Sequence, residues 1–175
     1  TNSSSGSIHA YSTFQSLTQS SLVNTLNNAG YTYTTGTGIA FDLATLSAYD
    51  ALFLGSTFLT TAELNVLTDY VNNGGGVYIH GGLGASNPGG TATAWNGFLS
   101  QYGLAFGSTI SSIGGNIAIT SSDPLLEGVT ALYMQQPHTI TGCCVVATAT
   151  SNGMALIAKT AVPLPAAIWL FGSGI

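Results

Sequence analysis

Three histidines, His9, His80 and His138, are the residues of this sequence best suited to acid–base chemistry or metal binding. An imidazole changes its charge near neutral pH and is the commonest metal ligand in proteins. His9 and His80 lie in or directly after predicted strands, so both are expected near the carboxyl edge of a parallel sheet, where α/β proteins usually carry their sites. The acids that would complete such a site are Asp50, Glu63 and Asp123.

The spacing of these residues matches no metal-binding motif. We favour the simpler interpretation, in which the histidines are partly buried or loop residues with hydrogen-bonded rings, and we predict no cofactor and no catalytic activity. If the chain has a catalytic site, we expect it to use His80, His9 and Glu63. If it binds a metal ion, the ligands would come from His9, His80 and His138.

Cys143 and Cys144 are adjacent, and they are the only cysteines in the chain. Neighbouring residues of a strand point to opposite faces, so the two sulfur atoms bond to each other only in a strained ring. Three states remain open, namely buried free thiols, a disulfide between the two neighbours, and disulfides to other chains. We favour the buried free thiols.

The stretch from Tyr49 to Gly84 contains the central predicted elements, two strands and a helix, that would position these residues. Its two apolar runs, Ala51 to Leu54 and Gly76 to Ile79, are typical of buried strands. Between them, Thr60 and Glu63 have the spacing of a capping box at a helix start, and the Asn and Gly residues of 72–75 suit a helix end. A strand, a helix and a strand in this order predict a right-handed parallel crossover.

The rest of the chain first alternates helices with strands and then turns to strands alone. Before the crossover, we predict strands over 7–11 and 31–35, a helix over 13–29 and a helical turn over 41–46. After it, we predict a loop over 81–90, a helix over 94–102 and strands over 104–106, 117–120, 131–134, 138–141, 144–148 and 155–159. Asn152 and Gly153 predict a hairpin turn. The pattern indicates a three-layer α/β fold whose parallel sheet is extended by antiparallel strands near the C-terminus.

The composition excludes several classes of partner. Charged residues make up only 4% of the 175 residues, against about 25% in an ordinary globular protein, and Lys159 is the only Lys or Arg. No cationic patch can form, which argues against nucleic acid and anionic membranes. With a net charge of only -5, repulsion between copies is weak, which favours a secreted, self-associating or surface-bound protein. The Ser-rich residues 1–6 look like a mature N-terminus, and Asn2-Ser3-Ser4 matches a glycosylation acceptor.

Three segments resemble the class I glutamine amidotransferase-like superfamily, including its ThuA-like members. They are residues 49–55, residues 64–77 and Ser122-Asp123-Pro124-Leu125-Leu126-Glu127-Gly128-Val129. The resemblance implies a flavodoxin-like fold over residues 7–160. In catalytic members a Cys nucleophile follows the strand equivalent to Val77–Ile79, but this chain has His80 in that place. The resemblance therefore implies the scaffold without amidotransferase or protease chemistry.

Residues 161–175 resemble the VPLPA form of the PEP-CTERM sorting tail. The phrase is Val162-Pro163-Leu164-Pro165, and apolar residues follow it, including Ile168, Trp169, Leu170 and Phe171. The resemblance implies processing by an exosortase during export to the cell surface or extracellular matrix. The apolar run is about half of the roughly 20 residues that a membrane span needs, and no Arg cluster follows it.

We therefore predict an arm (1–6), an amidotransferase-like domain (7–160) and a tail (161–175). The predicted function is that of a non-catalytic, secreted bacterial structural protein of the cell surface or biofilm matrix, which self-assembles into a homopolymeric fibre or sheet. The alternative is a surface hydrolase or carbohydrate-binding module that uses His80 and its neighbours. The predicted partners are further copies of the chain, an exosortase-type enzyme and glycans, but not nucleic acid.

Overall fold

A computed structural model describes residues 6–13, 15–55, 58–81 and 88–160 of the chain. These residues divide into two compact units, with the boundary between His80 and Gly81. The first unit contains the predicted crossover, and the second contains the later helix and the antiparallel strands. The predicted arm lies outside the described residues except for Gly6, and the tail lies wholly outside them.

A four-stranded parallel sheet forms the centre of the first unit. Its strands are β1 (Ser7–Tyr11), β2 (Thr32–Thr35), β3 (Ala51–Gly55) and β4 (Gly76–His80). They are arranged in the order β2-β1-β3-β4, and every neighbouring pair is parallel. This is the start of the 2-1-3-4-5 order of flavodoxin-like folds. The predicted α/β class and parallel sheet are confirmed.

The helices of this unit lie in the connections between the strands. They are α1 (Gln15–Thr18), α2 (Ser20–Asn28), α3 (Leu43–Leu46) and α4 (Thr61–Asn72). The β1–β2 and β3–β4 connections run in opposite directions along the sheet, so right-handed crossovers place α2 and α4 on opposite faces. The prediction of one helix over 13–29 is wrong, because Gln19 has an extended backbone and separates α1 from α2.

Each face of the parallel sheet buries its own set of apolar side chains. On one face, Ile8, Ala10 and Tyr33 form a core with Leu17, and side chains of α2 pack against it. The register of β1 against β3 places Leu52 and Leu54 on the other face, where both are fully buried. Burial on both faces explains why β3, a strand in the middle of the sheet, is a continuous hydrophobic run in the sequence.

The second unit combines one long helix with six antiparallel strands. The helix α5 (Pro88–Leu99) continues into a 3-10 turn (Ser100–Tyr102), and a second 3-10 turn spans Pro124–Leu126. The helix begins earlier than predicted, within the segment predicted as a loop. The strands are β5 (Leu104–Ile110), β6 (Gly114–Thr120), β7 (Ala131–Gln135), β8 (His138–Gly142), β9 (Val145–Ala149) and β10 (Ala155–Ala158).

These strands pair as a four-stranded sheet, in the order β10-β9-β6-β7, and as a β5-β8 pair. The predicted antiparallel character is confirmed, and in the described residues these strands pair only with one another. The hairpin between β9 and β10 turns at Asn152 and Gly153 as predicted. Gly153 has a φ of 69°, which glycine adopts without steric cost, and the Asn152 side chain accepts a hydrogen bond from the amide of Met154.

Candidate functional site

His9 lies in the core of the first unit and both of its ring nitrogens are engaged. Nε2 lies 2.9 Å from the Gly36 carbonyl oxygen, to which it donates, so Nδ1 accepts from the Thr34 hydroxyl at 2.7 Å. The side chain is only 3% exposed, and this burial lowers the pKa of the imidazole. His9 is therefore a neutral structural residue that ties β1 to β2 and to the loop that follows it.

The structure does not bring His9 and His80 together. Both lie in the parallel sheet, but β3 separates their strands. His9 is in register with Leu52 and His80 is in register with Gly55, and positions 52 and 55 point to opposite faces of β3. The expectation that the two histidines share a site at the carboxyl edge is wrong, because the register places them on different sides of the sheet.

His80 is the last residue of β4 and is half-buried, with its Cβ directed to the face that carries Gly55. In the amidotransferase-like pattern, this position would follow the strand on a sharp turn. Here it still belongs to the strand ladder, paired with β3. Only Gly81 of the following connection is described up to Pro88, so the predicted elbow lies largely outside the described residues.

His138 belongs to the second unit, where it begins β8 and is only 2% exposed. Its Nδ1 donates to the carbonyl oxygen of Gly107 at 3.0 Å, and its ring lies 5.4 Å from that of Phe106. Nε2 is buried and has no hydrogen-bond partner among the described residues. The described part of the chain contains no cluster of three or more His, Cys, Asp or Glu residues that would hold a metal ion.

The three acids considered as partners of the histidines each have a structural contact. Glu63 completes the predicted capping box, since its carboxylate accepts from the Thr60 amide at 2.7 Å while the Thr60 hydroxyl accepts from the Glu63 amide. Asp50 accepts from the amide of Ser7 at 2.6 Å. Asp123 caps a 3-10 turn and accepts from Lys159 at 2.7 Å, and this hydrogen bond lowers the pKa of Asp123. Glu63 therefore anchors the start of α4.

An open depression of about 270 Å³ lies at the amino ends of β3 and β4, opposite the edge that the sequence indicated. It is lined by Tyr49, Asp50, Tyr70, Asn73, Gly74 and Gly75. The sequence reasoning missed it, although one signal was present. A helix end needs only one or two glycines, whereas this chain has three in a row, and an additional glycine can mark a place where another group approaches the backbone closely.

Tyr70 is the central side chain of this depression. Its hydroxyl donates to the carbonyl oxygen of Tyr49 at 2.9 Å, and its ring lies directly over Gly75. Burial, together with the charge of Asp50, raises the pKa of Tyr70 from its usual value of 10.0 to about 12. The phenol is therefore a neutral donor at physiological pH that holds the loop before β3 against α4.

This pKa predicts a loss of stability at alkaline pH. Below pH 10 the Tyr70 phenol is protonated in both the folded and unfolded states, and its full contribution to stability is present. As the pH rises from 10 to 12, the unfolded state ionises first, so the free energy of unfolding should fall. Denaturant titrations across this range should show a shallower decline for Tyr70→Phe. An equal slope in the two proteins would contradict the assignment.

Cys143 and Cys144 form a disulfide with each other in the connection between β8 and β9. Both residues are exposed, so the favoured prediction of buried free thiols is wrong. Cys144 has a φ of 66°, a left-handed conformation that is uncommon outside glycine, and a regular strand would not have it. The backbone leaves the strand geometry here, which removes the expectation that the two side chains point to opposite faces.

The strand β7 forms an exposed edge of the second unit. One side of it pairs with β6, and no strand of the described residues pairs with the other side. Tyr133 in the middle of β7 is 73% exposed, and two further exposed apolar residues, Leu125 and Val129, precede the strand. No described helix is long and apolar enough to cross a membrane.

Comparison with solved structures places this geometry in a known class. The chain is similar to the mmIFT52 N-terminal domain, with a TM-score of 0.62 and 13% identity over 89% of this chain and 77% of that one. It is also similar to a ThuA-like protein from Bacteroides uniformis, with a TM-score of 0.55 and 13% identity over 88% of this chain and 74% of that one. At such identities the likeness shows the fold alone, a flavodoxin-like α/β fold.

The ThuA-like neighbour agrees with the amidotransferase-like resemblance of the sequence at the level of the fold. No protein-family model and no curated protein sequence matches the chain.

Proposed function

We propose that this chain is a secreted bacterial structural protein of the cell surface or extracellular matrix, which self-assembles into a homopolymeric fibre or sheet without catalysis. One observation carries the proposal. None of the ten described strands contains an Asp, Glu, Lys or Arg residue. Natural proteins commonly place charges on edge strands to prevent pairing with other chains, and these strands lack that protection.

The exposed edge of β7 is the surface that suits assembly best. Its five residues, Ala131–Gln135, pair with β6 on one side and with no described strand on the other, and the large side chain of Tyr133 is exposed. An edge of this kind accepts an extended segment from another molecule through main-chain hydrogen bonds. A net charge of -5 over 175 residues offers little repulsion against a second copy.

The proposed occupant is the apolar tail of a second copy. Residues 162–175 contain Val162, Ile168, Leu170 and Phe171, whose side chains would gain from burial, and they contain no charge that opposes it. A tail that adds to the β7 edge of the next molecule makes a head-to-tail contact. Repeated head-to-tail contacts generate an open filament rather than a closed dimer.

Export and processing form a further part of the proposal. The resemblance of Val162-Pro163-Leu164-Pro165 to a sorting signal supports passage to the cell surface and an exosortase-type enzyme as a processing partner. Removal of the tail before assembly would leave the Ser-rich residues 1–6 as the donor segment. A mass measurement of the native material would distinguish a processed chain from an unprocessed one.

A charge placed on the edge of β7 tests the assembly surface. Tyr133→Lys puts a cation at an exposed position of the β7 edge, so the fold should be kept and the concentration required for assembly should rise by about tenfold or more. The matched control is Asn24→Lys, which adds the same charge at an exposed position of α2. Analytical ultracentrifugation of both variants measures the change. Equal assembly of the two variants would remove β7 from the proposal.

A further inference from the structure

The exposed disulfide between Cys143 and Cys144 has surroundings that favour its opening. Both residues are exposed in the connection between β8 and β9. The Sγ atom of Cys143 lies 3.8 Å from the carbonyl oxygen of Tyr102, and the backbone of Gly103 also lies beneath it. One side of this sulfur is therefore covered. Attack by a thiolate proceeds in line with the bond that breaks, which favours Cys144 as the sulfur attacked.

The backbone around the disulfide is held independently of the sulfur–sulfur bond. The amide of Cys143 donates to the carbonyl oxygen of Gly103 at 3.0 Å. The carbonyl oxygen of Cys144 accepts from the amide of Lys159 at 3.0 Å. Opening the ring thus leaves the neighbouring strands connected by main-chain hydrogen bonds. The two thiols that result have no other cysteine in the chain to bond with, because the sequence contains only these two.

We propose that Cys143 and Cys144 form a ring-opening site that links copies of this chain covalently. A small-molecule thiolate attacks Cys144 Sγ, a new disulfide forms there, and the bond to Cys143 breaks with its electron pair remaining on Cys143 as a thiolate. That thiolate attacks the closed ring of a second copy in the same way. Each step forms one disulfide and breaks one, so a single initiating thiolate propagates without an oxidant.

The consequence is a linear polymer in which each copy is bonded to one neighbour through Cys144 and to another through Cys143. The inference rests on the proposed function in its choice of partner, which is a second copy of this chain. The chain carries few charged residues, so charge repulsion between two approaching copies is weak. Of the described charged residues, Lys159 is the one joined by a hydrogen bond to this turn, and its amine is paired with Asp123.

Non-reducing electrophoresis after treatment with a small fraction of an equivalent of a simple thiol tests the proposal. The wild-type chain should give a ladder of covalent oligomers, which excess reductant collapses to monomer. Cys143→Ser and Cys144→Ser each keep one thiol and have no ring to open, so without an oxidant both variants should remain monomers. Wild-type protein that has been fully reduced and alkylated should give monomer only, and this control needs no substitution. A wild-type sample that yields only the mixed disulfide with the added thiol, or only the closed ring, would overturn the proposal.

A second measurement separates this inference from the proposed function. The alkylated protein and the Cys143→Ser/Cys144→Ser variant should still assemble non-covalently, as measured by sedimentation. If these samples assemble but the wild type gives no ladder, the covalent link is refuted and the proposed function is still supported. If the wild type gives a ladder but the alkylated protein sediments as a monomer, the covalent link is supported and non-covalent self-assembly is refuted.

Discussion

Deletion of residues 162–175 is expected to reduce the protein from a polymer to a monomer. The deleted segment carries most of the uncharged, apolar surface that we assign to assembly, and burying about ten such residues contributes on the order of 10 kcal/mol before the entropic cost of association. The described elements end at Ala158, so the deletion removes none of the described strands and helices. Circular dichroism should therefore show that the described helices and strands are kept, while sedimentation shows the monomer mass.

The control for this deletion is removal of residues 1–5, which shortens the chain at the other end. Assembly should persist in that variant if the tail is the donor segment, and it should be lost if the arm is the donor. If the tail-deleted protein and the arm-deleted protein both still form fibres, neither segment is the donor. That result would refute the proposal that the tail or the arm adds to β7. Loss of assembly in only one of them identifies the segment that adds to β7.

Gly75→Ala is expected to cost the first unit about 3 kcal/mol of unfolding free energy. A Cβ at this position would overlap the end of the Tyr70 ring, so the ring must move. Forcing a methyl group into such a contact costs about 1–3 kcal/mol. The movement also breaks the hydrogen bond from Tyr70 to the carbonyl of Tyr49, which contributes about 1 kcal/mol. Chemical denaturation of the purified variant measures the loss.

Gly38→Ala is the matched control, because it lies in the same unit and a Cβ there meets no atom within 4 Å. Its effect should stay within about 0.5 kcal/mol. A double-mutant cycle isolates the cause of the Gly75 effect. In a Tyr70→Leu background the ring is absent, so Gly75→Ala should cost much less. An unchanged cost in that background would show that the backbone, not the ring, requires glycine.

The central crossover of the first unit could be predicted closely because its signals are local. Thr60 and Glu63 satisfy each other's backbone groups within one helical turn, and the apolar runs on both sides need no information from elsewhere in the chain. The hairpin at Asn152 and Gly153 was predictable for the same reason. The prediction of one helix over 13–29 was wrong for a related reason. The apolar residues keep a helical spacing across Gln19, so the local pattern does not reveal the break between α1 and α2.

The candidate site could not be predicted because it depends on register. A shift of one residue in strand pairing moves a side chain to the other face, and the sequence does not state which residue of β1 lies beside Leu52. His9 and His80 therefore appeared to be neighbours. The state of Cys143 and Cys144 depended on a single backbone angle at Cys144, which local composition does not reveal. The depression around Tyr70 could not be predicted because the residues that line it come from two separate segments, one before β3 and one before β4.

The position of Lys159 determines where trypsin can cut this chain. Lys159 is the only Lys or Arg in 175 residues, and it directly follows the last described strand. Trypsin cleaves after Lys and Arg, so the whole chain offers it one peptide bond. The Lys159 side chain is about half exposed, at 51%, but its amine is held by Asp123. A single proteolytic cut after Lys159 would separate residues 160–175 from the rest of the chain.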